Sequence, residues 1–353
     1  MTTQTMSLDE GRLARLLDPE IAGLLALLVF VCVVFGATTN GFVSTTTFAS
    51  MAFQLPELGL LTLAMLMPII SGGFNLAITF TANLCGLAMA AVLHKFGGAD
   101  AGALAITLGF VAALATGALV GWLMGAIIAT TGAHPILVSL SMMIFVRGLG
   151  EFLTRGGDIS GTPNAVQAIG QGTVFGIPAP LLVFAGAVVL WHIVMSRARL
   201  GFATRMIGSN LEATRYSGVP TRRMLTLIYA LSGLMSGLAG ILMLARFNSV
   251  RVGHGEAYLL ITVLACFLGR VDPFGGFGRV VPVALALVIL QVIASGLNLL
   301  GSNQHLATAL WGGFLLLVMV ARSVWASASH FLQMMFARRQ HGTGPTDRSL
   351  AKR

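Results

Sequence analysis

The chain has 353 residues, of which 56% are hydrophobic and only 9% charged, with a formal net charge of +9. Soluble domains carry about 25% charged residues, so this composition excludes one and indicates an all-α polytopic membrane protein. The basic excess does not imply nucleic acid, because the arginines lie in loops beside apolar spans, the pattern of positive-inside orientation.

The first 20 residues are polar and read as a cytoplasmic segment. A charge-free run over 21–37 follows, longer than a signal-peptide core and without a convincing cleavage site, and is expected to stay as the first span. Further apolar runs lie at 48–70, 76–93, 103–128, 135–153, 179–197, 226–246, 257–269, 280–300 and 305–326. At about 20 residues per crossing they predict about ten transmembrane helices within a membrane domain 21–326, followed by a cytoplasmic tail 327–353. The run 257–269 is short and is expected to be a short or broken span. With both termini inside, sixteen basic residues fall on the inner side and four outside, Arg147 lying within a span.

Small residues mark how the spans pack. Gly117, Gly121 and Gly125 on the fourth span, and Ser232, Ser236 and Gly240 on the seventh, recur every four residues. Such stripes let helix backbones approach closely, and ordinary packing within the chain is favoured over a dimer seam. Pro56, Pro68 and Pro282 lie within or beside spans, where they bend or end helices. Cys32, Cys85 and Cys266 fall in apolar runs without metal-ligand spacing and read as packing residues.

Polar groups within spans are costly and so are candidates for a translocation pathway. Gln54 and Glu57 share a face of the second span; Asn75 and Asn83 lie on the third. Amides suit a polyhydroxy solute facing a cavity, and serve equally as hydrogen bonds between helices; for Gln54, Asn75 and Asn83 both readings stay open. Glu57 leans towards a cavity, since a lone buried carboxylate must otherwise protonate. Gln291 and Asn298 read as structural. Arg147, Glu151 and Arg155 at i, i+4 and i+8 form an expected ion ladder or, with Asp158, a docking rim for a periplasmic partner.

The segment 198–225 lies in a basic island, Arg197–Leu225, that holds six of the 21 basic residues and a single acid. Within it Ser209 and Glu212 read as a Ser-x-x-Glu capping box opening a helix of about two turns that Gly218 and Pro220 end. So short a helix needs a surface to lie against. The segment is therefore expected to be where a soluble partner pushes on the membrane core. The chain has two lysines, Lys95 and Lys352, and neither follows a glycine, so no Walker A loop exists. Metalloprotease and intramembrane-protease motifs are absent as well, and an enzyme is not expected.

Several blocks carry a resemblance. Arg199-Leu200-Gly201, Gly208-Ser209-Asn210, Glu212-Ala213 and Ser217-Gly218-Val219, then Leu231–Arg246, Gly255–Leu260, Leu268-Gly269 and Gly275–Arg279, resemble the permease subunits of ribose-type sugar ATP-binding-cassette importers. Phe145–Gly161 is similar to a further stretch of that family. The family's G-G-[IL]-D-L-S-[VI]-G signature appears here as Gly72-Gly73-Phe74-Asn75-Leu76-Ala77-Ile78-Thr79, with Asn75 for the acid, Ala77 for the serine and Thr79 for the last glycine; in addition, Thr214 replaces an alanine and Arg270 a glycine. The resemblance implies a type II ABC importer permease fold in the bacterial inner membrane, with both termini cytoplasmic. It also implies a second permease subunit, identical or not, two cytoplasmic ATPases that bind ATP and Mg, and a periplasmic binding protein. No cofactor is expected in this chain. The coupling role falls on Ser209, Asn210, Glu212, Ala213, Arg215, Ser217 and Gly218. The implied solute is a ribose-, xylose- or galactose-like monosaccharide. A polyol, a furanose signal, a branched-chain amino acid, or an ATP-independent facilitator are the alternatives.

Overall fold

The structure is a computed structural model that describes residues 19–302, 306 and 308–320. The predicted segment 1–20, all but its last two residues, and the tail 327–353 lie outside the described residues, as does 321–326 of the last predicted span. Eight described helices are long and apolar enough to cross a bilayer. They are α1 (Pro19–Thr38), α2 (Thr45–Ile70), α3 (Ile78–Lys95), α4 (Ala103–Thr131), α5 (Pro135–Thr154), α7 (Ala179–Arg197), α10 (Thr221–Phe247) and α12 (Val280–Leu299). Two shorter apolar helices, α11 (Tyr258–Leu268) and α13 (Thr308–Val320), complete the set. The expected ten spans are thus eight long helices and two short ones, with 257–269 short as anticipated.

Local chemistry sets the ends. Ser44 caps α2 by accepting from Thr47 N at 3.1 Å, satisfying one of the first-turn donors that no carbonyl reaches. Gly132 closes α4 in the left-handed conformation at φ 68°, and Pro135 occupies the first turn of α5. Asn248, at φ 52°, does for α10 what Gly132 does for α4.

The core is built around α10 and α2. Helix α10 packs on α4, α2 and α3, and α2 also meets α7, α11 and α12. Nearly all of α2 is buried, whereas α1 and α5 leave most of their apolar surface outward, as expected of helices that meet lipid or another membrane subunit. The glycine stripe of α4 meets α10 along Thr226, Tyr229 and Gly233, beside the Ser232–Ser236–Gly240 stripe, which faces α2 and α3. A β-carbon on Gly121 would strike the Tyr229 carbonyl carbon at 2.9 Å, and one on Gly125 would lie 2.8 Å from Thr226 Cα. Gly117 and Gly233 stand against each other's carbonyls, and Gly240 against Ala82 of α3. The stripes therefore form a seam inside the chain, the packing reading favoured above.

One face of the bundle carries α8 (Arg199–Ser209) and α9 (Leu211–Tyr216) and is called here the basic face. The opposite face carries α6 (Asn164–Gln171) and two small antiparallel ribbons. Strand β1 (Ile159–Ser160) pairs with β4 (Ser249–Val250), Ile159 opposite Val250. Strands β2 (Thr173–Val174) and β3 (Ile177–Pro178) form a hairpin through Phe175 and Gly176, both at positive φ.

Gly121→Ala is expected to destabilise the protein by on the order of 1–3 kcal/mol, since the opposing group is backbone and cannot repack. Gly148→Ala, where a β-carbon meets nothing within 4 Å, is expected to be neutral or mildly stabilising. Thermal unfolding of the two variants in detergent checks the difference.

Candidate functional site

The basic face is assembled from three chain segments. Helix α7 ends at Ala198, and α8 turns back beneath the bundle, with the Arg205 guanidinium donating to the Met195 carbonyl and Thr204 donating to Leu200 O at 2.8 Å. Gly201 packs against the Val194 and Met195 backbone, which lets this reversal be tight.

Helix α9 follows after one extended residue, Asn210. Its side chain, not that of Ser209, caps the helix: Asn210 Oδ1 accepts from Ala213 N at 2.9 Å. Ser209 is the last residue of α8 and donates to Arg205 O at 3.0 Å. The Ser209–Glu212 capping box is therefore corrected by one position. Asn210, at φ −163°, is the residue that leaves helical geometry, so its carboxamide is the one facing the free N–H groups. Glu212 still places an acid in the first turn, where the helix dipole favours it. The helix spans six residues and ends through Ser217 to Gly218 at φ 82°.

Helix α9 has one anchor. Thr214 is 1% exposed and donates to Asn210 O at 2.7 Å. Glu212, Ala213, Arg215, Ser217 and Gly218 are exposed around it. So are Leu211 at 43% and Tyr216 at 89%, apolar surface that a short helix in water does not leave bare without a partner.

Just before this helix, at the end of α8, lies a contact the sequence reading missed. Gly208 of α8, Gly72 after α2, and Gly275 in the loop after α11 meet backbone to backbone. A β-carbon on Gly275 would lie 2.7 Å from Gly72 Cα and 2.9 Å from Gly208 Cα. Gly276 N donates to Ile70 O at 2.8 Å across the same point. Gly275 and Gly276 stand at φ 94° and 83°, conformations that glycine adopts freely. The available signal was the Gly-Gly-x-Gly run itself. Beside this junction a cavity of about 810 Å³ opens, lined in part by Phe74, His134, Phe267 and Asp272; none of the four pathway candidates borders it.

Those candidates are joined to neighbouring helices. Asn75 donates to Ser232 Oγ at 2.8 Å and accepts from Ala77 N at 3.1 Å, and Ser232 continues to Ala64 O at 2.6 Å. Asn83 donates to the Val252 and His254 carbonyls at 2.5 and 2.9 Å, tying down the loop before α11. Gln54 accepts from Gln291 at 3.2 Å. Glu57 is fully buried and pairs with Arg246 Nη1 at 2.9 Å, with the Tyr258 hydroxyl 3.5 Å from its other oxygen. Glu57 is thus not the lone carboxylate that its place in the span suggested. Arg246, the last residue of the predicted 226–246 span, folds in as its counter-charge. Glu57 lies near the middle of α2 and Arg246 at the end of α10, so no local signal pairs them.

At the opposite face Arg147 holds Glu151 at 3.0 Å and Glu256 at 3.3 Å. The ladder stops there, because Arg155 is the cap of α5 at φ 53° and leaves the helical register. Asp158 instead approaches Arg251 at 3.9 Å. Burial and then the Arg251 guanidinium hold the nearby His254 imidazole below its ordinary value, with Asp158 opposing them, so it is neutral at pH 7. Phe175, fully exposed at the tip of the β2–β3 hairpin on the same face, was not singled out from sequence.

Residues 47–321 match the protein family described as branched-chain amino acid transport system / permease component. The chain belongs to this permease family. Among curated relatives it is 30% identical to the autoinducer 2 import system permease protein LsrD of Yersinia enterocolitica over 307 residues, covering 85% of this chain and 91% of the relative. The LsrD proteins of Yersinia pseudotuberculosis and Yersinia pestis are 28% identical over the same length, covering 85% of this chain and 90% of each relative. No solved structure matches. The permease is therefore a sugar-type ABC transporter permease of the multi-pass inner-membrane kind, and the resemblance read from its coupling blocks holds.

Two outcomes test this geometry. Asn210→Ala is expected to weaken α9 by about 1 kcal/mol, and Ser209→Ala by much less, read as hydrogen-exchange protection over 211–217. Arg246→Met strands a buried carboxylate and is expected to cost about 3–5 kcal/mol in detergent unfolding. The double variant Glu57→Met with Arg246→Met recovers most of that.

Proposed function

We propose that this permease forms the membrane-spanning path of an importer for a small polyhydroxylated solute of monosaccharide or furanose size. A separate ATPase drives it by alternating access. Supporting this reading is one observation above others. The exposed α9, held by its single buried Thr214 side chain, follows directly on α8, whose Gly208 meets Gly72 and Gly275 backbone to backbone, so a displacement of α8 passes to α2 and the loop after α11 without soft side chains between. The chain also lacks a nucleotide cradle of its own, which leaves the energy input to a partner.

The proposal assigns the coupling role to Asn210, Glu212, Ala213, Arg215, Ser217 and Gly218, with Ser209 as the hinge between α8 and α9. It places the basic face and both termini in the cytoplasm, following the sixteen-to-four charge asymmetry. A periplasmic binding protein then meets the rim of Arg147, Glu151, Arg155 and Asp158. Since Gln54, Glu57, Asn75 and Asn83 are engaged with neighbouring helices in this conformation, they act in the pathway when those helices part. A second permease subunit, the same chain or a relative, completes the path on the outward apolar faces.

Within this class a furanose solute is favoured over ribose. The relatives named above are autoinducer 2 import permeases. The chain also departs from the ribose-type signature at Asn75, Ala77 and Thr79, losing an acid near the start of α3.

Vesicles containing the permease, its ATPase and its binding protein are expected to take up solute only with ATP. Scrambling 212–218 is expected to abolish uptake while leaving the ATPase able to hydrolyse ATP. Gly208→Ala is expected to lower uptake per ATP at least several-fold, by wedging the glycine junction. Undiminished uptake in the scrambled variant overturns the coupling role, and downhill flux without any ATPase supports the facilitator instead.

A further inference from the structure

The cavity of about 810 Å³ beside the glycine junction has part of that junction as its wall. Gly72 and Phe274 both line it. A β-carbon on Gly72 would lie 3.4 Å from the Phe274 carbonyl oxygen and 3.7 Å from Gly208 Cα. A shift of α8 is therefore one backbone contact away from the cavity. Ile136 in the first turn of α5 and Phe74 before α3 supply further wall.

The loop that brings Phe274 there is closed on itself. Asp272 N donates to Phe277 O at 3.0 Å, Gly275 N to Asp272 O at 3.1 Å, and Phe274 N to Asp272 Oδ1 at 2.9 Å. These bonds orient the Asp272 carboxylate before any ligand arrives, and its Oδ2 receives no hydrogen bond from a described residue. His134 borders the cavity too, and its Nδ1 accepts from Ile136 N at 3.4 Å. A neutral ring that accepts through Nδ1 carries its proton on Nε2 and donates there. No described lining residue is a lysine or an arginine.

That set fits an uncharged solute with several hydroxyls. The carboxylate accepts from hydroxyls, the imidazole N–H donates to one, and the carbon faces of the solute pack on aromatic rings. A mostly apolar wall with a few placed polar anchors is the usual make-up of a small-molecule site. An amino acid would set its ammonium on Asp272 and leave its carboxylate without a cation, and a phosphorylated sugar would bring its charge against an acid. Either charge, taken from water and left unpaired, is costly.

We propose that this cavity holds the solute on the basic-face side of its path, with Asp272 and His134 contacting its hydroxyls and Phe74 its carbon skeleton. A movement of α8 then reshapes the site through Gly72, which ties release of the solute to the motor. The inference rests on the permease reading above and narrows it to uncharged polyhydroxylated solutes, against branched-chain amino acids.

Thiol labelling tests it on the full chain in detergent. Ile136→Cys, exposed beside the cavity, is reacted with a maleimide; Thr173→Cys on the opposite face is the control, and the unsubstituted chain corrects for native cysteines. At roughly 100 mM, enough to fill a site of millimolar affinity, at least one of D-ribose, D-xylose, xylitol and autoinducer 2 is expected to slow labelling of Ile136→Cys by about threefold or more, and L-leucine and ribose 5-phosphate to leave it unchanged. Adding Asp272→Asn, which keeps the acceptor for Phe274 N, is expected to raise the protecting concentration by about tenfold. Should that variant not fold, His134→Ala, at an exposed position, is expected to shift it in the same direction and decides the matter. Equal protection of both cysteines, protection by L-leucine as strong as by the sugars, or no protection by any of the four, overturns the site. ATP-driven uptake in vesicles judges the permease reading separately. Uptake without protection sinks the site alone, and absence of uptake sinks the reading beneath it.

Discussion

Between α4 and α10 two backbones touch with almost nothing between them. Gly117 lies against the Gly233 carbonyl, Gly121 against Tyr229 and Gly125 against Thr226. Apolar side chains gain little from leaving lipid for a protein interior that is no less apolar, so contact between helices must come from dispersion and from short backbone approaches. The central position of α10 follows from this. Glycine on its α4 side and Gly240 on its α3 side let three helices close around one axis, and α2 fills the remaining flank with side chains that are almost wholly buried.

The polar groups obey the same economy of space. Each buried amide in the core has a named partner on another element: Asn75 with Ser232, Asn83 with the loop before α11, Gln291 with Gln54. Away from water an unmade hydrogen bond is expensive, so these links also fix which helices are neighbours and at what height. The Glu57–Arg246 pair is the extreme case. It is poor as a source of stability in comparison with an apolar pair, yet it holds α2 and α10 in one relative position, because either partner alone is intolerable there.

Hydropathy made the helices legible, and four-residue spacing made the seam legible, because both are one-dimensional signals. Span 179–197 coincides with α7, and 135–153 with α5 to within one residue. What depends on a single residue's backbone angles was harder to read. Asn210 and Ser209 are both good caps, and only the extended conformation at 210 decides between them. What depends on a distant partner was not legible at all. Glu57 and Arg246 are 189 positions apart, and Gly72, Gly208 and Gly275 come from three separate stretches. Family membership was readable from the blocks within 199–219 and 231–279, whereas the solute was not.

Helix α2 has one end in the glycine junction and carries Glu57 near its middle. Its 26 residues make a rod of roughly 39 Å. Pro56 removes one rung of its ladder next to that carboxylate, well away from the junction. A shaft with a flexure near its middle turns a small sideways shift at its base into a change of tilt beyond the flexure. The geometry therefore puts a bending point of the permease beside the buried Glu57, roughly 20 Å along the helix from the glycine junction.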